Sequence, residues 1–281
     1  MWAPHQKKIE EIAGTGLVLD VGGWGQPFAR ADYVLDLFPY ETRGLASHGI
    51  GILPVTCVYP EPLPGERFRK ETWMIHDICS VKPFPFPDKM FDFAICAHTL
   101  EDVRDPLRAC AEIIRVSRAG YIETPSRIGE SILWEGMIGA AHHRWLIEAV
   151  GNRLEFRMKH YFLHTSHKFY ISPSFARKIP FEQRHLCFFW HDAFEYQEIT
   201  GYEYYQETAE FIKRLRISRA YYMLDALRNL KYQSRAALQA IYGRWRVRVF
   251  PQAPSSPTQA TWTWAKLFEA NQRYLNGRTS V

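Results

Sequence analysis

The chain lacks the apolar segments that would carry it into or across a membrane. No apolar run approaches the roughly 18 residues that a membrane-spanning helix needs. Residues 1–12 are too polar to contain the apolar centre of a signal peptide. These absences predict a cytoplasmic protein without stable membrane insertion.

Cysteine is also scarce. The five cysteines form no Cys-x-x-Cys pair, which argues against a disulfide framework and a structural zinc site. Cys96 and Cys110 lie among apolar neighbours and are expected in the core. This usage fits a reducing compartment.

A third absence concerns nucleotide-binding motifs. After the apolar run that ends at Asp20 and Val21, the glycines stand at Gly22, Gly23 and Gly25. A dinucleotide-binding fold would instead show Gly-x-Gly-x-x-Gly at this point. The spacing therefore disfavours a nicotinamide-dependent oxidoreductase.

The chain is mildly basic, with a net charge of +5 and a pI near 8.9, and Lys and Arg are in excess over residues 201–250. Such a stretch can favour an acidic partner or a membrane surface, but a solvated helical face is the simpler interpretation. No nucleic-acid-binding module is present, so nucleic acid is not an expected partner.

Five short apolar runs are separated by connections long enough for helices, which predicts a doubly wound, mostly parallel sheet of the α/β class. Helices are expected at 4–12, 106–115 and 204–245. A further strand is predicted over 154–164, and the aromatic residues Phe188, Phe189 and Trp190 are expected in the core or in a wall that stacks on a ligand. The five runs are 17–21, 33–37, 73–76, 91–97 and 120–123.

The ligand of such a sheet binds beyond the carboxyl ends of its strands. Glycines after the first strand allow a ligand close to the backbone, and Asp20 can hold an amine-bearing ligand. Asp36 can accept hydrogen bonds from ribose hydroxyls. Asp77 and Ile78 can meet an adenine ring.

These residues resemble a known family, the class I S-adenosylmethionine-dependent methyltransferases, in particular the bacterial type 11 branch. The similarity covers about residues 15–127. It rests on 18–23, Asp36, 77–78, 84–88, 91–92 and 100–103.

The resemblance implies a Rossmann-like fold with S-adenosylmethionine as the cofactor. The glycine loop, with Gly22, Gly23 and Gly25, would pass under the methionine part of the cofactor. Ala97 ends the fourth strand, and His98 after it would face the sulfonium and the acceptor. The sequence departs from the family pattern at two positions. Trp24 stands within the glycine loop, and Asp102 replaces the histidine of the usual Leu-Glu-His-Val.

The resemblance also suggests a division of the chain. Residues 1–127 are expected to form the cofactor-binding core, and 128–200 an acceptor-binding region that completes the sheet. Residues 201–281 are expected to form a helical region packed on the same domain.

A hydroxyl acceptor benefits from a base, and histidine is the usual one. His142 and His143 follow the fifth strand and are the first candidates, with His98 the second. Glu123 can contact the acceptor or help to bind a divalent cation, because two histidines and a carboxylate can bind a metal. The spacing is not diagnostic, so no metal ligand is assigned and a cation stays an option.

The acceptor remains open among several small molecules. A segment at 120–127, followed by His142 to Trp145, resembles bacterial enzymes of glycan or cell-envelope pathways, which implies O-methylation of a sugar in polysaccharide biosynthesis. A lipid, a quinone or another small metabolite is the alternative, as is a non-catalytic protein that only binds the cofactor. A homo-oligomer is a further option.

Overall fold

The central element is a six-stranded sheet. The computed structural model describes residues 3–43, 62–132, 142–159, 171–201 and 203–214, together with single positions in helical conformation beyond residue 219. The strands run in the order β3-β2-β1-β4-β5-β8, parallel except for β8, which pairs antiparallel with β5. They are β1 (Val18–Val21), β2 (Tyr33–Asp36), β3 (Trp73–Ile75), β4 (Phe91–Ala97), β5 (Ser117–Pro125) and β8 (His185–His191).

Helices cover both faces of this sheet, as the doubly wound prediction requires. Helix α1 (Ala3–Ala13) contributes Ile9 to a buried cluster that contains Phe93 and Ile95 of β4. Helix α2 (Pro106–Val116) contributes residues to the opposite cluster, where Ala94 and Cys96 of β4 lie. Successive residues of β4 point to opposite faces, because side chains alternate along a strand. The predicted α/β class is confirmed.

Helix α2 shows how local sequence fixes an element. Asp105 is the N-cap, and its side chain accepts a hydrogen bond from the Arg108 amide at 3.0 Å. Pro106 occupies the first helical position, where its missing N–H removes no helical hydrogen bond. Cys110 is buried, as is Cys96 opposite it, so both predicted core cysteines are confirmed.

A second, three-stranded sheet packs against the α2 face. It has the order β6-β7-β9, with β6 (Trp145–Val150) antiparallel to β7 (Arg153–Met158), and β9 (Glu195–Glu198) parallel to β7. Leu154 and Phe156 of β7 are fully buried in the same cluster as Phe188 and Trp190 of β8. This sheet was not predicted, and the predicted strand at 154–164 corresponds to β7 as far as Met158, since 160–170 lie outside the described residues.

Short helices connect these strands. They are α3 (Arg127–Glu130), α4 (Pro173–Ala176) and α5 (Phe181–Arg184). Helix α6 (Glu203–Arg214) begins the predicted C-terminal helical region, most of which lies outside the described residues. In the part of the chain that the structure describes, no helix combines the length and apolarity of a membrane span.

Candidate functional site

A cavity of about 650 Å³ opens at the carboxyl ends of β1 to β4. This volume is in the range of small-molecule sites, and the position is the one expected for a parallel sheet. All eight residues predicted to contact the cofactor line it, namely Asp20, Gly22, Gly23, Gly25, Asp36, Asp77, Ile78 and Ala97.

The glycine loop after β1 has no room for side chains at two positions. Gly22 has a φ of +78°, and a Cβ placed there would overlap the Thr99 side chain at the end of β4. A Cβ on Gly23 would overlap the carboxylate of Asp20. Because both positions need glycine, the peptide groups of this loop border the cavity without side chains between. This suits a ligand that approaches peptide groups closely.

Two buried carboxylates support this loop. Asp20 accepts a hydrogen bond from the Phe28 amide at 2.8 Å, and Asp36 accepts from the amides of Trp24 and Phe38 at 3.0 Å each. Burial raises the pKa of Asp20 to about 7 and that of Asp36 to about 6, although these amides oppose the shift. The raised pKa values therefore result from the removal of both carboxyl groups from solvent.

The side chain of Trp24 is directed into the core. Its indole lies 4.4 Å from the Phe38 ring, centroid to centroid, and its Nε1 donates to Thr42 Oγ1 at 2.9 Å. Trp24 is therefore part of the cavity wall on the β2 side. The unusual residue in the glycine loop does not block the site.

The end of β3 supplies a third part of the cavity. Asp77 Oδ1 accepts from the Cys79 amide at 2.9 Å, so the carboxylate turns the chain after the strand. Arg104 donates to the Cys79 carbonyl at 2.9 Å and lies 3.9 Å from Asp77. This arginine also lines the cavity, and the sequence did not single it out.

His98 lies at the end of β4 between two buried carboxylates. Its Nε2 is 3.0 Å from Glu123 Oε1, and its Nδ1 is 3.4 Å from Glu101 Oε1. Burial alone would lower the pKa of His98, but the interactions with Glu101 and Glu123 outweigh it and raise the pKa to about 9. An imidazolium at neutral pH has no free lone pair, so this geometry disfavours His98 as a proton acceptor.

Glu123 does not reach the cavity. It is fully buried beneath His98, and it accepts from the Tyr121 hydroxyl at 2.5 Å. That hydroxyl lies 2.7 Å from Nδ1 of His5 on α1. Glu123 therefore supports His98 and is not among the residues that line the cavity, and its predicted contact with the acceptor stays a prediction.

The histidine pair lies at the other side of the β4 loop. His142 lines the cavity and its side chain is 66% exposed, whereas His143 is only 10% exposed and lies behind it. Both Nε2 atoms face Asp102 Oδ1, at 3.9 Å from His142 and 3.7 Å from His143. Asp102 also lines the cavity, so the residue that departs from the family pattern lies beside the predicted histidines.

A chain of buried charges positions His143. Its Nδ1 is 2.6 Å from Glu130 Oε1, and Glu130 Oε2 accepts from Lys159 Nζ at 2.7 Å. The side chains of Glu130 and Lys159 are 1% and 3% exposed. Neither residue was predicted from the sequence, because Glu130 lies on α3 and Lys159 directly after β7, far apart along the chain.

The backbone ties this histidine segment to β4. The amides of Arg144 and Trp145 donate to the Glu101 carbonyl at 2.6 and 3.1 Å. Trp145 Nε1 donates in addition to the Val103 carbonyl at 2.9 Å. These contacts bring His142 and His143 to Asp102.

Residues 45–122 match the family described as "Methyltransferase domain". That region holds β3, β4 and α2 and extends into β5. No curated protein matches the chain.

Solved structures overlap with parts of the chain at low identity. An S-adenosylmethionine-dependent methyltransferase from Mesorhizobium loti is 18% identical, with 57% of this chain and 64% of that one covered and a TM-score of 0.31. The N-terminal domain of EvdMO1, crystallised with S-adenosylhomocysteine and D-fucose, is 16% identical, with coverages of 75% and 71% and a TM-score of 0.31. The [4+2]-cyclase SpnF is 20% identical, with coverages of 44% and 45% and a TM-score of 0.29. The chain spans about half the length of SpnF, and also about half the length of methyltransferase structures from Bacillus halodurans and Thermotoga maritima.

Proposed function

We propose that this chain, of which residues 45–122 match the methyltransferase-domain family, is a class I S-adenosylmethionine-dependent methyltransferase that methylates a hydroxyl group of a small polar acceptor of the sugar type. The observation that carries the proposal is the cavity at the ends of β1 to β4. On one side its lining includes Asp36, Asp77 and Ile78, which suit an adenosine group. On the other side it includes the polar residues Asp102 and His142.

The residues around the cavity fit S-adenosylmethionine by their chemistry. Asp36 lines the cavity, and its two carboxylate oxygens can accept ribose hydroxyls in addition to the backbone amides of Trp24 and Phe38. Asp20 and the bare backbone of Gly22 and Gly23 suit the amino-acid part. When bound, the cofactor supplies an activated methyl group on a sulfonium.

The polar end of the cavity suits a hydroxylated acceptor. A new O–CH₃ bond forms as the CH₃–S bond breaks, the neutral thioether leaves, and the hydroxyl proton has to be removed. Removal of this proton falls to Asp102, His142 and His143, with His142 the histidine on the cavity surface. The main task of the protein is to align the hydroxyl with the methyl group.

The character of this end also weighs against the alternatives. Among the described residues that line the cavity, Asp102, Arg104 and His142 present charge and hydrogen-bonding groups, which favours a hydroxylated acceptor over a lipid or a quinone. A protein that only binds the cofactor would not need these groups beside it. We retain both alternatives as outcomes of the experiment.

The experiment has a binding stage and a transfer stage. Calorimetry with S-adenosylhomocysteine, S-adenosylmethionine and NAD is expected to show tighter binding of the two adenosyl amino acids. NAD binding of equal strength would reject the cofactor assignment. A methyl-transfer screen over free sugars, nucleotide sugars, phenols and quinones then tests the acceptor, and transfer to quinones alone would reject the sugar class.

A further inference from the structure

Three side chains at the polar end of the cavity converge on one point. The ligand atoms of Asp102, His142 and His143 all lie within 4.8 Å of one another. Asp102 Oδ1 is buried and accepts no hydrogen bond from any residue that the structure describes. A buried carboxylate oxygen facing two imidazoles without hydrogen bonding to either requires a physical explanation.

The distances distinguish a hydrogen-bonded pair from a ligand set. A His–Asp hydrogen bond would bring nitrogen and oxygen to about 2.7–2.9 Å, but the two separations here are 3.7 and 3.9 Å. Ligands around a tetrahedral Zn²⁺, at bond lengths of about 2.0–2.2 Å, lie roughly 3.4 Å apart. The observed spacing is close to that of ligands around an ion, and a small inward movement completes it.

The groups behind these side chains have the arrangement that metal-binding histidines use. Glu130 binds Nδ1 of His143, which leaves Nε2 directed at Asp102, and Lys159 holds Glu130 in turn. A carboxylate on the remote nitrogen of a histidine fixes its tautomer and ring orientation for a metal. Both supporting side chains are almost fully buried, so this orientation is built into the fold.

The composition of the set selects the class of ion. Two imidazoles and one carboxylate suit Zn²⁺, Mn²⁺, Fe²⁺ or Co²⁺ better than Mg²⁺ or Ca²⁺, which prefer oxygen ligands. Asp102 and His142 line the cavity, so the remaining coordination positions face the space for the acceptor. In the described part of the chain, His5, Glu123 and Cys187 form a second possible ligand group, but the Tyr121 hydroxyl is hydrogen-bonded to both His5 and Glu123, and none of the three lines the cavity.

We propose that Asp102, His142 and His143 bind a divalent transition-metal ion that holds an oxygen atom of the acceptor. Metal binding itself stands apart from the proposed function, and only the role of the ion in methyl transfer rests on it. In that role the ion would lower the pKa of the acceptor hydroxyl, so Asp102, His142 and His143 would promote loss of the hydroxyl proton through the ion they hold and would not take it up directly. The histidines then act as ligands.

The experiment uses the full chain, stripped of metal with a chelator and dialysed. Calorimetric titration with Zn²⁺ is expected to give one site per chain, and Co²⁺ is expected to give the absorption bands of a site with nitrogen ligands. Asp102→Asn, His142→Ala and His143→Ala should each weaken Zn²⁺ binding about 100-fold or more. Glu130→Gln should weaken it about 10- to 100-fold.

His191→Ala is the matched control, because His191 is an exposed histidine at the end of β8, beside Asp192. It should bind Zn²⁺ as the parent does. Binding of S-adenosylhomocysteine by each variant shows that the fold survives. If the parent binds no Zn²⁺, or if Asp102→Asn and His142→Ala bind it as tightly as the parent, the metal site is wrong.

The two proposals fail in different ways. Stoichiometric Zn²⁺ binding without any methyl transfer supports the site and counts against the proposed function. Methyl transfer that survives chelation unchanged, with no Zn²⁺ bound, overturns the metal site and leaves the methyltransferase in place.

Discussion

The two sides of the cavity are built in different ways. On the cofactor side, consecutive strands of one parallel sheet end in a row, and the contacts are backbone amides, bare glycines and the carboxylates that hold them, such as Asp36. On the acceptor side, Asp102, His142, Glu130 and Lys159 come from four separate segments. Backbone hydrogen bonds to the Glu101 carbonyl bring the histidine segment to Asp102, and a buried ion pair joins Glu130 to Lys159.

This contrast means that the two sides should respond differently to substitution. A change in the glycine loop should act through the shape of the backbone and weaken cofactor binding. A change in the Asp102 group should leave the cofactor in place and remove turnover. If variants on both sides lost both properties, the division between the two sides would be wrong.

The largest effect is expected at Gly22. Gly22→Ala places a Cβ on a residue with a φ of +78° and brings that Cβ into the Thr99 side chain. The positive φ and this overlap together should raise the free energy of the loop conformation that binds the cofactor by about 3 kcal/mol, which lowers the affinity about 100-fold. Isothermal titration with S-adenosylhomocysteine measures it.

Gly65→Ala is the matched control, since Gly65 has a φ of +88° and open space around its Cβ position. It should lose some stability and keep its affinity. Adding Thr99→Ala to Gly22→Ala removes the closest atoms and should restore part of the binding. Full affinity in the single variant would show that the loop adopts another conformation with ligand bound.

The next effect is expected at the histidine pair. His142→Ala or His143→Ala should lower kcat by about 100-fold or more, because the hydroxyl proton is no longer removed. The affinity for S-adenosylhomocysteine should change little, since the adenosyl contacts lie at β1 to β3. His191→Ala should keep full turnover.

Near-normal turnover in both variants would transfer the role to His98. The structure disfavours that outcome, because the Glu123 carboxylate lies 3.0 Å from Nε2 of His98 and the Glu101 carboxylate lies 3.4 Å from Nδ1. Loss of cofactor affinity in both variants would instead show that the pair is structural and that the acceptor lies elsewhere.

The same contrast explains what the sequence could predict. Strands β1 to β5 are short apolar runs, and most lead directly into a turn marked by glycine or aspartate. Buried parallel strands carry this pattern locally. The residues at their ends, Asp20, Asp36 and Asp77 among them, follow from the position of the strands. Their predicted roles toward a cofactor remain predictions.

The acceptor side has no such local pattern. The β8 sequence around Phe188 and Trp190 is apolar on both faces and lacks alternation, and its antiparallel pairing with β5 depends on contacts about 65 residues away along the chain. The approach of His142 to Asp102 depends on two amides that bind the Glu101 carbonyl. No spacing rule in the sequence encodes that contact.

A smaller effect is expected at Asp36. Asp36→Ala removes a charged acceptor for ribose hydroxyls, and hydrogen bonds to charged groups are worth about 1.5–3 kcal/mol. Affinity for S-adenosylhomocysteine should fall at least tenfold, measured by calorimetry. Asp88→Ala, at an exposed carboxylate paired with Arg115, is the control and should bind as the parent does. An unchanged dissociation constant for Asp36→Ala would assign the ribose to another residue.

The smallest effect is a dependence of cofactor affinity on pH. Burial raises the pKa of Asp36 to about 6, so part of the population is protonated below that pH, and the ribose hydroxyls need the ionised form. Ionisation of Asp36 should therefore raise the affinity about three- to fourfold between pH 5.5 and 7.5, with release of protons on binding, and Asp20, with a pKa raised to about 7, should add a part of its own.

The stability of the ligand-free protein should move the other way. A carboxyl with a raised folded pKa stabilises the fold at pH values below its unfolded pKa near 4, and this contribution is lost as the pH rises through about 6 for Asp36 and about 7 for Asp20. Denaturant unfolding at several pH values measures it. Asp36→Asn should remove the Asp36 part of both dependences while Asp20 keeps its own. If the affinity of Asp36→Asn rises with pH as steeply as that of the parent, the titrating group is not Asp36, and the cofactor side is sensitive to another charge.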